Sequence, residues 1–332
     1  MTDRLKAALF APPSPRPQQK ADSMTRKILI AALLAACAVP AAARTGAPPA
    51  AATKEAPATD RFSVVTMGEG PDVIFIPGLS STRAVWADVA APLASTHRVH
   101  LVQVAGFGEA AGANASGPVL QPFVDALADH IRRTGMNKPA IVGHSMGGLA
   151  AFMLAADHPD LPGRLMIVDA LPFIGPLFGA DSVEEVRPQA DRMRTMLLAQ
   201  AGKVTPNFTA KADCPATLPA PAAPRGTMTN SGQGTCIVAN GALASDLRVV
   251  AQAMHDDMVT DLRPRLRAIE APVTMLYPQD DRLLTEAAAT KIYTDAYAGL
   301  PSAKLVRVPG SYHFIMQDQP TRFAEELAAF LR

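Results

Sequence analysis

The sequence predicts an α/β fold: a mostly parallel sheet covered by helices on both faces, with a helical insertion over one edge. Three observations predict it. Short, continuous apolar runs recur at 73–76, 99–104, 140–142, 165–168, 273–277 and 303–308, and runs of this kind are strands buried on both faces. Helix-length segments separate them, as at 119–133, where Val119, Phe123, Leu127 and Ile131 follow helical spacing. Between 172 and 261 the alternation stops, and only helix-like stretches near 183–201 and 237–260 remain, around a Pro/Ala/Thr/Gly loop. An all-helical insertion there reads as a cap over the active face, because long loops inside compact proteins are usually functional.

The first sixty residues do not read as folded chain. Thr25-Arg26-Lys27 is a basic start, 28–39 is a short apolar run, and Ala41-Ala42-Ala43 offers small residues for a signal peptidase. The apolar run is shorter than the ~20 residues that cross a bilayer. We therefore expect residues 1–23 to be a mis-called extension before a true start at Met24, 24–43 a signal peptide, and 44–60 a disordered linker. The protein is then exported, periplasmic or secreted. Leu34-Ala35-Ala36-Cys37 also resembles a lipobox, in which case Cys37 carries a lipid anchor. Segments 61–171 and 262–332 form the expected core.

With 332 residues, 48% of them hydrophobic, the chain has material for a full core. A net charge of +1 without Lys/Arg clusters argues against nucleic-acid binding. Of three cysteines, Cys37 lies in the leader. Cys214 and Cys236 remain, either as two free thiols or as a bridge in an oxidising compartment. A bridge would close a loop of about 22 residues and contribute about 3 kcal/mol in the chain-entropy picture.

After the hairpin expected from 61–76, the strongest chemical signal is Gly143-His144-Ser145-Met146-Gly147, a Gly-x-Ser-x-Gly set between the strand 140–142 and the helical run 149–156. A strand-to-helix turn this tight needs neighbours without side chains, hence Gly143 and Gly147. It lifts the Ser145 hydroxyl to the N-terminus of a helix, whose dipole favours an oxyanion. Serine needs a base, and the base an orienting acid. The strand 303–308 leads to His313, and the strand 273–277 to Asp280 and Asp281, all expected at the carboxyl edge of the sheet.

The chain from about residue 61 resembles the α/β-hydrolase superfamily, in its capped serine esterase and proline-iminopeptidase-like branch. The resemblance implies the α/β-hydrolase fold and a Ser–Asp–His triad in that chain order. It places the acid three residues after a strand-ending glycine; Pro278 stands there, which points to Asp281 over Asp280. His313-Phe314 followed by Pro320 matches the family's histidine segment. The oxyanion amides fall on Met146 and, in Pro77-Gly78-Leu79-Ser80, on Leu79. Two departures stand out: Pro77-Gly78 replaces His-Gly, and Gln103-Val104-Ala105-Gly106-Phe107-Gly108 replaces Asp-x-Pro-Gly-x-Gly. That second loop shapes the pocket rim, so the departure bears on the choice of substrate and not on the chemistry. Serine at the elbow excludes the aspartate-based dehalogenases and epoxide hydrolases of this fold.

The expected reaction is hydrolysis of a small-molecule carboxylic ester, or a related acyl bond, with no cofactor and no metal. Two rivals are an aminopeptidase using cap acids (Glu184 and Glu185, or Asp256 and Asp257) and a non-catalytic binder on the same fold. His97 and His100 lack partners at metal-ligand spacing, and Trp86 is expected to pack a helix. Cap methionines such as Met193, Met196, Met254 and Met258 are expected in packing.

Overall fold

The computed structural model describes residues 54–208, 214–222 and 227–332. The expected extension, signal peptide, lipobox Cys37 and first part of the linker lie outside the described residues. Residues 54–60 correct the linker reading: Lys54–Thr59 forms strand β1, paired antiparallel with β2 (Phe62–Met67).

The elements then run β3 (Asp72–Ile76), α1 (Ala87–Leu93), β4 (Arg98–Val104), α2 (Leu120–Thr134), β5 (Ala140–His144), α3 (Met146–Asp157) and β6 (Arg164–Val168). The insertion carries α4 (Val183–Ala201), α5 (Gly232–Leu243) and α6 (Leu247–Val259). The core resumes with β7 (Val273–Gln279), α7 (Glu286–Ala296), β8 (Lys304–Pro309), α8 (Ile315–Asp318) and α9 (Pro320–Leu331). One eight-stranded sheet has the order β1-β2-β4-β3-β5-β6-β7-β8. It is parallel from β4 to β8 and antiparallel at β1 and β2. The hairpin expected of β2 and β3 does not form, because β2 pairs with β4 instead.

Side-chain alternation divides the core between the two faces. Ile74, Ile76, Ile141, Leu165, Ile167 and Met275 pack under α2, α3 and α7. Val73, Phe75, Val142, Met166, Val168 and Leu276 pack against α1, α9 and the fully buried Trp86. β5 is buried along its whole length, which is why it reads as an uninterrupted apolar run.

The insertion has a small core of its own, built on Phe173, Val186, Ala190, Met193, Met254 and Met258. The single helix expected near 237–260 is two. The chain breaks at Ala244–Asp246 because this stretch bonds to the loop after β4: Gly108 N donates to Ala244 O at 2.9 Å and Asp246 N to Gly106 O at 2.7 Å. Asp246 then caps α6 through Arg248 N. Cys214 and Cys236 form a disulfide, with Cα atoms 5.6 Å apart, which ties the long cap loop to α5.

Candidate active site

Ser145 joins β5 to α3 at φ 53° and ψ −125°, a backbone region costly for any residue with a side chain. The turn is possible because of its glycines. A Cβ on Gly143 would lie 2.4 Å from Gly147 O, and one on Gly147 2.5 Å from Ile76 O. Among the described residues four non-glycines have positive φ: Ser80, Lys138, Ser145 and Asp169. Three of them follow the ends of β3, β5 and β6, so the strain concentrates at one edge of the sheet.

His313 follows β8 and lies beside this elbow. Its ring is 4.5 Å from that of His144, the residue preceding Ser145. The fully buried His144 donates from Nε2 to the His313 carbonyl at 3.0 Å. Burial, reinforced by the nearby His313 charge, holds the His144 pKa well below the ordinary histidine value, so it is a neutral strut. Among the described residues the Ser145 hydroxyl makes no hydrogen bond.

The carboxylate on His313 is Asp169, not Asp281. His313 Nδ1 donates to Asp169 Oδ2 at 2.6 Å. Asp169 directly follows β6, its amide donates to Leu276 O at 2.9 Å, and its second oxygen accepts from the Tyr293 hydroxyl. Burial and the Asp169 charge push the Tyr293 pKa well above its ordinary value, so the phenol stays a donor. Tyr297 donates to Ala170 O at 2.7 Å and holds the next residue. The side chains of His313 and Asp169 are 23% and 12% exposed, so the pair is largely enclosed but reachable from solvent.

The reason Asp281 fails is strand length. The expected strand end at Tyr277 is not an end: Pro278 pairs with Val308 and Gln279 with Pro309. The chain turns only after Gln279, with Leu283 N and Leu284 N bonded to Asp280 O. Asp281 is exposed and accepts from Gln279 Nε2 at 2.8 Å. Asp280 pairs with Arg282 at 2.9 Å. The signal for Asp169 was present in the sequence: the apolar run 165–168 ends directly on a carboxylate, one strand nearer the nucleophile.

Met146 opens α3, and helix geometry leaves its amide without an intrahelical acceptor. Leu79 follows Gly78, and a Cβ on Gly78 would lie 3.0 Å from Ser145 Cβ, so both expected oxyanion residues border the elbow. Neither amide is spent on the turn and loop bonds of the fold.

The other singled-out residues take structural places. His100 bonds to Asp72 at 2.8 Å and to Thr66 at 3.1 Å, and His97 bonds to Thr96. Trp86 packs on Phe75 and Phe323. Of the four cap acids, Glu184 and Glu185 lie in the first turn of α4, where Glu185 accepts from Asp181 N. Asp256 accepts from Val119 N and Leu120 N and so caps α2 from the insertion. Among the described residues no group of three or more His, Cys, Asp or Glu is arranged to hold a metal.

Comparison with known proteins identifies the family of this fold. The sequence pattern described as the alpha/beta hydrolase family matches residues 73–326. The chain belongs to the alpha/beta hydrolase family. It is 25% identical over 272 residues to the pimeloyl-[acyl-carrier protein] methyl ester esterase of Vibrio vulnificus (strain YJ016), covering 80% of this chain and 96% of that protein. The protein of the same name from Aeromonas hydrophila is 34% identical over 110 residues, a match spanning 33% of this chain and 42% of that protein. Among solved structures, a thermophilic esterase from Thermogutta terrifontis superposes with a TM-score of 0.62 at 20% identity, covering 85% of this chain and 98% of that one. This hydrolase therefore carries its family's sheet, with the acid of its histidine pair after β6.

Proposed function

We propose that this hydrolase cleaves carboxylic esters of small molecules through an acyl-enzyme, with Ser145 as nucleophile, His313 as base and Asp169 as the orienting acid. The observation that carries the reading is the 2.6 Å bond from His313 Nδ1 to Asp169, beside a serine in the elbow conformation. That bond puts the proton on Nδ1 and leaves the Nε2 lone pair to accept the Ser145 proton. The serine oxygen attacks the ester carbonyl as its proton passes to His313. The oxyanion is received by the Leu79 and Met146 amides at the N-terminus of α3. Collapse breaks the bond to the alcohol, and His313 returns its proton to the leaving oxygen. Water then attacks the acyl-enzyme by the same route, releasing acid and serine. Among the described residues the Ser145 hydroxyl holds no hydrogen bond before substrate arrives, and its bond to His313 forms when substrate binds, as catalytic hydrogen bonds commonly reach their working geometry only in the substrate complex.

The relatives named as esterases support the ester bond as the target. The signal-like leader and the Cys214–Cys236 disulfide support export to an oxidising compartment. A fluorophosphonate probe tests the mechanism. Labelling at Ser145, abolished in Ser145→Ala, is the expected result. An unlabelled serine in folded, wild-type protein overturns the reading and leaves a binding protein on a hydrolase fold.

A further inference from the structure

On α6, Asp257 shares a helix face with Val250, Ala253 and Met254, at spacings of seven, four and three residues, and all three are buried. The acid is thus directed inward. A carboxylate that continues an apolar face into the last turn of a helix is costly unless it is partnered. Yet among the described residues the Asp257 side chain takes no hydrogen bond and no ion pair.

The neighbours of Asp257 fix the helix about it. Asp256 is bound to the start of α2. His255 bonds to Asp191 of α4 at 3.0 Å. Met258 is locked into the cap core. The helix cannot turn Asp257 out to solvent without breaking all three. The charged groups that act on it are His313, from the loop before α8, and Asp256 on its own helix. Asp257 thus lies within electrostatic reach of His313, on the inward side of the insertion, and it keeps partial exposure.

We propose that Asp257 is the substrate-selecting group of the cleft: it receives a hydrogen-bond donor, a hydroxyl or an ammonium, carried by the ester near the bond that is cut. This rests on the reading of Ser145 and His313 as the reacting pair. The donor would satisfy a group the fold leaves unsatisfied, and an ester without it leaves a buried carboxyl unpaired. Burial pushes the Asp257 carboxyl up to about 7, opposed by His313 and reinforced by Asp256. The ammonium preference then strengthens as pH rises through neutrality and Asp257 ionises.

The test compares methyl esters of one straight-chain acid and of its ω-hydroxy and ω-amino analogues, matched in length across a short series. Wild-type enzyme should favour the donor-bearing esters by about tenfold in kcat/KM, since sites built to hydrogen-bond a substrate discriminate at least this strongly. The ratio should fall toward one in Asp257→Leu. In Asp257→Asn the hydroxyl preference should survive and the ammonium preference disappear. Comparing esters as ratios removes the titration of His313, which is common to all. Asp257→Leu should also raise the urea midpoint, more at pH 8 than at pH 5. Wild-type Asp257 gains stability from its proton at low pH and loses it as pH climbs from about 4 through 7. If the leucine variant does not fold, the nearly isosteric Asn variant carries the test. Equal turnover of all three esters by wild type that labels at Ser145 overturns this assignment alone, as does a preference that survives in the leucine variant. Absence of labelling overturns the ester reading with it.

Discussion

The turns after β6 and β7 both end in aspartate at the same edge of the sheet, yet only one reaches the histidine. After β6 the backbone leaves the sheet at once, and Asp169 takes φ 47° with its carboxylate between Tyr293 and His313. After β7 the strand runs on through Gln279 and pairs with β8 to its end, so Asp281 emerges on the exposed side. The difference teaches that strand length, more than the residue type at a turn, decides which carboxylate meets the imidazole. It also shows how a rigid alternative holds the unused acid away: Gln279 bonds Asp281 on one side and Arg307 on the other.

The sharpest way to break this comparison is to disable each acid in turn. Asp169→Asn should lower kcat by about 10⁴-fold, the scale seen when a triad acid becomes an amide and fixes the wrong tautomer; steady-state hydrolysis of an activated ester reads it. Tyr293→Phe removes the donor behind Asp169 while keeping the ring stacked at 4.6 Å on Tyr277. We expect kcat to fall by about tenfold, corresponding to one buried hydrogen bond to a charged group, with KM little changed. Gln279→Ala should cost about 1–2 kcal/mol of stability, through the unpaired partners it leaves, and show up as a lower urea midpoint with kcat nearly intact. Asp281→Asn, the smallest effect, should leave kcat within about twofold, since the exposed carboxylate contributes at most a surface-scale interaction. A loss at Asp281 matching that at Asp169 would reverse the assignment.

Much of the molecule was legible because its signals were local. The buried strands 140–144 and 165–168 show continuous apolar runs, and the elbow needs Gly143 and Gly147 wherever Ser145 sits, so these were readable from spacing alone. His313 was readable because a loop must follow the strand that ends near Pro309. The acid was not. Two aspartates follow β7 and one follows β6, and only the extent of pairing between Pro278 and Val308 decides among them. That is a property of the neighbouring strand, not of the turn. The same holds for β1, whose Ala/Pro/Thr-rich composition reads as linker until β2 offers it a partner edge. It holds again for the cap, where the helix break at Ala244–Asp246 comes from hydrogen bonds to the loop after β4.

Asp318 gives the fold a further consequence. One of its oxygens accepts from Asn230 N at 2.9 Å, from Ser231 N at 3.3 Å and from the Thr229 hydroxyl, and the other accepts from Tyr312 N at 2.7 Å, one residue before His313. Met228 O accepts in addition from Phe314 N at 3.1 Å. The insertion and the histidine-bearing loop thus share a single carboxylate knot. A chimera that imports a foreign lid into this scaffold inherits an obligation: unless the graft brings its own amides to residue 318, the His313 imidazole is left slack. Recombination between relatives is consequently free to vary the lid beyond residue 231 only where this short splice is carried across whole.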